Sequence, residues 1–339
     1  MTSDVLRLTA ELMAIDSTSG QEGELMAHVA LMLESRGWRV KKIPVTPGRI
    51  DVFATCVNEP LVTLSTHLDT VPPYIPPRVD GDTLWGRGAC DAKGIAASMI
   101  LAAEQLRERE APVALLFVVG EEVTHDGAHA ANATFTTSRA IIDGEPTEGK
   151  LALGTKGAVR ATIRTAGVAA HSAYPHLGDS AITKLIALLA ELPHLDLPHD
   201  ELLGATTINV GQISGGVADN VIAPAAEARI MVRLVTDVED VWALLENWIA
   251  GRATIERGSL VPAIRLGSVP GFETMVAAFA TDIPALTRWG RPYLYGPGSI
   301  HVAHTKNEHI TRRELETAVE GYVELAIAAL ATADTTSVG

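Results

Sequence analysis

The sequence predicts an α/β fold in which a larger domain, built on a mixed sheet covered by helices, is interrupted by a smaller α+β domain of ferredoxin-like order. Three observations carry this expectation. Apolar strand-like runs alternate with amphipathic helical stretches up to about residue 155. Near Lys156 the texture changes to long alternating strands separated by two helices. From Ser268 onward Gly/Pro-punctuated loops resume and lead into a long terminal helix. The expected boundaries are 1–155 and 267–339 for the larger domain and 156–266 for the insert.

The chain opens with Val5, Leu8, Leu12 and Ile15 at helical spacing behind a Ser3 cap, and a second periodic stretch runs through Leu25, Val29, Met32 and Leu33. Strand-type runs follow at RVKKIPV, DVFATCV, LVTLST, PVALLFVV and RAIID, with a helix expected from Ala92 to Arg107 between the third and fourth. PVALLFVV is apolar on both faces, as strands buried between two helical layers are. In the insert, AVRATIRTA, ATTINVGQIS and AEARIMVRLV alternate at the strand period. Helices are expected around 179–191 and 237–250, with a last strand near 261–266. The terminal helix should run from about 311 to 331.

Composition narrows the function classes. With 339 residues, 47% of them hydrophobic, the chain can bury a substantial core. Its longest apolar runs fall well short of the roughly 20 residues that span a bilayer, and no secretory leader pattern opens it, so the expected location is cytoplasmic. The two cysteines, Cys56 and Cys90, exclude a disulfide framework and a cysteine-based zinc site. A formal net charge of −14 opposes binding to nucleic acid or to anionic membranes.

Chemistry-bearing residues recur where strands end. His67 and Asp69 close LVTLSTHLDT, two residues apart and so on one side of an extended chain. WGRGACDAKG begins like a dinucleotide fingerprint, but Asp91 occupies the place of its third glycine, where a carboxylate would repel a pyrophosphate. Asp91 is better read as a helix cap or a metal ligand. PVALLFVV runs directly into Gly120, Glu121 and Glu122, and RAIID into Asp143 and Glu145. Far downstream YGPGSIHVAHTKNEH supplies His301 and His304. Each feature alone is ordinary. Nitrogen and oxygen ligands delivered repeatedly to strand ends form the mixed set of a dinuclear hydrolytic metal site.

The ordered series STHLDTVP, WGRGACDAKG, VVGEEVT, DGEPT, GAVRATIRTAGVAAHSAYP, ADNVIAP and GPGSIHVAHTKNE resembles the dinuclear zinc aminoacylase/carboxypeptidase family, across nearly the whole chain. That family includes acetylornithine deacetylase, succinyl-diaminopimelate desuccinylase and several dipeptidases. The resemblance implies a catalytic domain interrupted by a lid that also dimerises. It implies two divalent ions per subunit, zinc first and cobalt or manganese as alternatives. His67, Asp91 and Glu145 would hold one ion, with Asp91 bridging to a second held by Glu122 and His304. Glu121 would be the general base and Asp69 the partner orienting His67. His171 would stabilise the oxyanion, reaching the site of a partner subunit, and Asn220 and Arg233 would bind the carboxylate side of a small substrate. Asp143 competes with Glu145 and His301 with His304; the GEPT and AHT-x-x-E contexts favour Glu145 and His304.

The implied reaction is hydrolysis of the amide of a small N-acyl amino acid by a metal-activated water, with dipeptidase or carboxypeptidase action as the alternative. A catalytically inactive binding or dimerising relative is the reading from another class. No G-x-S-x-G elbow supports a serine hydrolase. His125 and His129 lack an HExxH context, and the expected roles of His28, His176, His194 and His199 are packing or solvent exposure. Asp282 is expected to cap the segment that follows it, with contact to a substrate amine as the less favoured role.

Overall fold

The computed structural model describes residues 4–134 and 136–335. Contacts divide the chain into two compact units. The larger comprises residues up to Leu153, Leu266–Met275 and Thr281 onward; the smaller comprises Gly154–Arg265 and Val276–Ala280. These junctions lie within two residues of the expected ones, and Val276–Ala280, which carries no mark in the sequence, joins the smaller unit.

In the larger unit the strands lie in the order Arg39–Thr46, Arg49–Thr55, Val113–Val118, Val62–His67, Ala140–Asp143, Arg291–Leu294. The first three pair antiparallel and the last four parallel, giving a mixed sheet. Along Val113–Val118 alternate side chains enter different cores. Leu115 and Phe117 join the cluster with helices Val5–Met13, Gly23–Ser35, Lys93–Glu108 and Arg312–Thr335, whereas Leu116 and Val118 pack with Ile43, Ala128, Leu286 and Trp289 on the other face. Each such fully buried Leu or Phe contributes roughly 1.5–3 kcal/mol of transfer free energy. This double burial is the reason Val113–Val118 has no polar face.

The opening helix differs from expectation at its cap. Ser3 lies outside the described residues, and Asp4 is the N-cap, its Oδ1 accepting the amides of Leu6 and Arg7 at 3.0 and 3.4 Å. The expected 92–107 helix is Lys93–Glu108, and the terminal one is Arg312–Thr335.

The smaller unit is a four-stranded antiparallel sheet in the order Thr207–Gly215, Ala225–Leu234, Gly157–Ala166, Thr254–Val261, with helices Ala181–Leu189 and Val238–Ile249 on one face. The β-α-β-β-α-β order and this strand sequence are ferredoxin-like. Its fourth strand is Thr254–Val261, not 261–266, where only the short Ile264–Arg265 strand lies. TIERGSLV sits at the edge of its sheet and is polar at most positions, so its apolar alternation is faint.

Candidate metal centre and active site

Val62–His67 lies between Val113–Val118 and Ala140–Asp143, parallel to both, with His67 opposite Val118 and Ser65 opposite Asp143. The carboxyl ends of three adjacent buried strands therefore meet at one edge, where the chain must leave the sheet and polar side chains can face one another. His67 stands at the centre. Its Nδ1 lies 3.0 Å from the Asp69 carbonyl oxygen and 3.5 Å from Asp69 Oδ1. Those acceptors favour a proton on Nδ1 and turn Nε2 toward the cluster.

Asp69 also organises the neighbouring turn. Its Oδ1 accepts the amide of Glu121 at 3.0 Å, and its Oδ2 accepts the amide of Glu122 at 3.2 Å and the Ser19 hydroxyl at 2.8 Å. One fully buried carboxylate thus orients the histidine and the backbone that carries both glutamates.

Asp91 faces two imidazoles with different oxygens. Oδ1 is 3.0 Å from His67 Nε2, and Oδ2 is 3.1 Å from His304 Nε2. His304 Nε2 also lies 3.0 Å from Glu122 Oε1, and Glu145 Oε1 is 4.0 Å from His67 Nε2. Donor atoms of His67, Asp91 and Glu122, and separately of His67, Glu121 and Glu145, lie within 4.8 Å of one another. His304 holds this position with a left-handed backbone, φ 63°, which few side chains other than glycine adopt.

The electrostatics follow from crowding. Burial, with Asp282, Glu122 and Asp69 nearby, pushes the Glu121 carboxyl well above its usual range against the opposing pull of His67. Burial and the charge of Glu121 raise Glu145 in the same way. Burial alone would raise Asp91, but the imidazoles of His304 and His67 hold it below the usual carboxylate range. Hydrogen bonds to Asp91 and Glu122 push His304 up to about 10.

Asp69, Asp91, Glu121, Glu122, Asp143 and Glu145 are thus gathered around two imidazoles, His67 and His304. Among the described residues neither the Glu121 nor the Glu145 carboxylate makes a hydrogen bond to protein. Buried charge on this scale requires compensation. Mixed imidazole and carboxylate donors suit divalent ions such as zinc, so the residues present fit a metal pair.

Other expected site residues are placed differently. Asp143 is buried beside the cluster, its Oδ2 without a hydrogen-bond partner, but it enters neither donor group. His301 is exposed, and its backbone amide donates to Ser299 Oγ. His171, Asn220 and Arg233 belong to the smaller unit. There His171 bridges to Val221, and the Ser172 amide donates to the Asn220 carbonyl, so His171 and Asn220 sit on adjoining segments. Arg233 is half-buried on Ala225–Leu234, and burial and the neighbouring Arg160 lower its guanidinium pKa.

Two contributors carried no assigned role in the sequence. Ser19 steadies Asp69 from a segment far upstream. Glu308 is fully buried; its Oε1 accepts the amides of Gly88, Cys90 and Asp91, and its Oε2 lies 2.6 Å from Arg87 Nη1. Its only sequence signal is its place in HTKNE, three residues past a loop turn.

An aspartate facing two imidazoles, flanked by a glutamate whose carboxylate makes no hydrogen bond to protein among the described residues, fits a hydrolase of the dinuclear metal class. Residues 153–254 match the family model of the peptidase dimerisation domain. A peptidase M20 domain-containing protein of Schizosaccharomyces pombe is 37% identical over 94% of this chain and 83% of its own length. A probable carboxypeptidase of Aspergillus clavatus is 37% identical over 97% of this chain and 83% of its own. Among solved structures, a tripeptidase from Staphylococcus aureus superposes with a TM-score of 0.81 at 20% identity, covering 96% of this chain and 98% of the other. A dinuclear metal binding peptidase of the M20 family from Bacillus subtilis superposes at 0.69 and 17% identity, covering 95% and 96%. The chain belongs to the M20 peptidase family and is a metal-dependent hydrolase of peptide or amide bonds. The names of these relatives and neighbours are those of peptidases and carboxypeptidases. Among the described residues, no helix is long and apolar enough to cross a membrane.

Proposed function

We propose that this enzyme releases an amino acid with a free carboxylate from a small amide, as a carboxypeptidase or dipeptidase on short peptides. Deacylation of N-acyl amino acids is the second reading, because it frees the same leaving group. The observation that carries the proposal is Asp91 facing His67 and His304 with separate oxygens beside the unbonded carboxylate of Glu121. Identity of 37% to a probable carboxypeptidase favours peptides over acyl amino acids.

In this reading His67, Asp91 and Glu145 hold one ion, and Asp91, Glu122 and His304 the other. When bound, the ions, zinc foremost, would make water acidic enough to ionise near a pH of about 7 and would polarise the scissile carbonyl. Glu121 takes the proton of the attacking water and delivers it to the leaving nitrogen as the C–N bond breaks. Asp69 holds Nδ1 of His67 and the amides of Glu121 and Glu122, so base and ligands keep their places as the proton moves. His171 stabilises the tetrahedral oxyanion, and Asn220 and Arg233 bind the substrate carboxylate.

A hydrolysis screen of short peptides against N-acetyl amino acids, with zinc, cobalt or manganese added, tests the assignment. Release of amino acid from the peptides at the higher kcat/KM is the expected outcome; turnover of acyl amino acids alone would replace it with the second reading. Elemental analysis after metal loading should approach two ions per subunit, and a strong chelator should abolish activity. Full activity in chelator would end the metal mechanism.

We further propose a homodimer formed through the smaller unit, which exposes Val168, Tyr174, Leu177, Ile186, Ile213 and Val217. His171 then serves the partner's site. Mixing subunits carrying Glu121→Gln with subunits carrying His171→Ala should restore part of the activity, because a heterodimer contains one site with both groups. Equilibrated heterodimers without activity would exclude sharing between subunits.

A further inference from the structure

Beneath the Glu121–Glu122 turn lies a contact that the proposed chemistry does not use. The turn closes on the carbonyl of Gly120, which receives the amides of Val123, Thr124 and His125 at 3.4, 2.9 and 2.8 Å. Gly120 has φ +78°, and a Cβ there would meet Asp126 Oδ1 at 2.1 Å, so only glycine fits. His125 ends the turn in the left-handed region, φ 54°, at the N-cap of helix Asp126–Asn132, yet its side chain makes no capping bond. Nδ1 lies instead 2.8 Å from Oδ1 of Asp282, 157 residues away in the chain.

Asp282 is only 2% exposed. It occupies the N-cap position of the short Ile283–Ala285 helix without a side-chain capping bond, and its Oδ2 has no hydrogen-bond partner. The expected capping role is therefore absent, and this depth of burial argues against contact with a substrate amine. A carboxylate this buried is costly unless paired, and its pairing is with the turn that carries Glu121 and Glu122. Hydrogen bonding to Asp282 holds the His125 imidazole above its usual pKa against burial.

We propose that His125 and Asp282 are positioning residues: their contact fixes the foot of the turn, as Asp69 fixes its head, and together they set where Glu121 and Glu122 stand. The Glu121 carboxylate has no hydrogen bond to protein among the described residues, so its position depends on the backbone that carries it. The inference rests on the reading of Glu121 as base and Glu122 as ligand.

Two substitutions at one position separate side chain from backbone. Both glycine and asparagine tolerate the left-handed conformation, but only asparagine keeps a donor for Asp282. His125→Gly should lower kcat about 30-fold or more with KM within about twofold, the scale expected of a small displacement of catalytic groups. In metal-depleted protein it should also speed amide hydrogen exchange across residues 121–125 and weaken binding of one of two zinc ions in calorimetry. His125→Asn should keep kcat within about threefold of wild type. The double variant His125→Gly/Asp282→Ala should be no worse than His125→Gly; where Asp282→Ala fails to fold, the two His125 variants decide. Wild-type kcat and exchange in His125→Gly, or equal impairment of His125→Asn, would overturn the proposal. Glu121→Gln on the same substrates is the control: turnover retained there defeats the base assignment, while the exchange measurement still judges the clamp.

Discussion

Glu121→Gln is expected to lower kcat by about 10²–10⁴-fold while the protein still takes up two ions. The amide keeps the size and shape of the side chain but cannot accept a proton from water. The structure offers two roles for Glu121, because its carboxylate lies in a donor group with His67 and Glu145 and also lacks any hydrogen bond to protein among the described residues. Metal content separates them. A ligand replaced by an amide should weaken ion retention together with activity, whereas a base should lose activity alone. His67→Ala is the contrast, since removal of the central imidazole should deplete the metal. Near-normal kcat in Glu121→Gln would defeat the base assignment, and loss of an ion would make Glu121 a ligand.

The cluster at the sheet edge was legible because of how its strands are built. PVALLFVV has no polar face, so it had to be an interior strand, and polar residues directly after it had to emerge at a sheet end. His67 and Asp69, two residues apart, could be placed on one side by the strand period alone. Asp91 and His304 could not, since both sit in irregular loops; motif context singled them out, and the two-oxygen arrangement of Asp91 was visible only in three dimensions. His171, Asn220 and Arg233 came from family resemblance, because nothing in their local spacing distinguishes them from a solvated surface.

What the sequence hid was hidden for identifiable reasons. His125 and Asp282 meet across 157 residues, and a left-handed histidine leaves no periodic trace. Asp282 shows the ambiguity of an aspartate before a short apolar segment: the capping position is real, but its side chain has a better partner elsewhere. At the first helix Ser3 and Asp4 both carry a suitable oxygen, and the choice between them depends on one residue of register. The fourth strand of the smaller unit was displaced because an exposed edge strand needs few apolar residues.

Glu308→Ala should cost about 3–5 kcal/mol of folding stability and should strip the metal site at the same time. Glu308 and Arg87 form an ion pair with side chains 0% and 3% exposed, so removing the carboxylate leaves a guanidinium buried without its counter-charge. The second consequence is local. Glu308 Oε1 collects the amides of Gly88, Cys90 and Asp91 at 2.9, 3.3 and 3.3 Å, and these are the backbone groups of the turn that aims Asp91 at both imidazoles. Without a common acceptor the three amides lose their partner in a place water cannot readily reach, and the turn must rearrange to satisfy them. Asp91 then no longer presents one oxygen to each imidazole, and in the proposed reading both ions would lose a shared ligand. Glu308→Gln provides the graded comparison, because its carbonyl oxygen can still collect the amides while the charge opposite Arg87 is lost. Urea unfolding should be measured in chelator, since bound ions add their own stabilisation to the native state. The expected order of stability and of zinc affinity is wild type, Glu308→Gln, Glu308→Ala; an alanine variant within about 1 kcal/mol of wild type, below the range for a broken buried pair, would show that Glu308 does not anchor this turn.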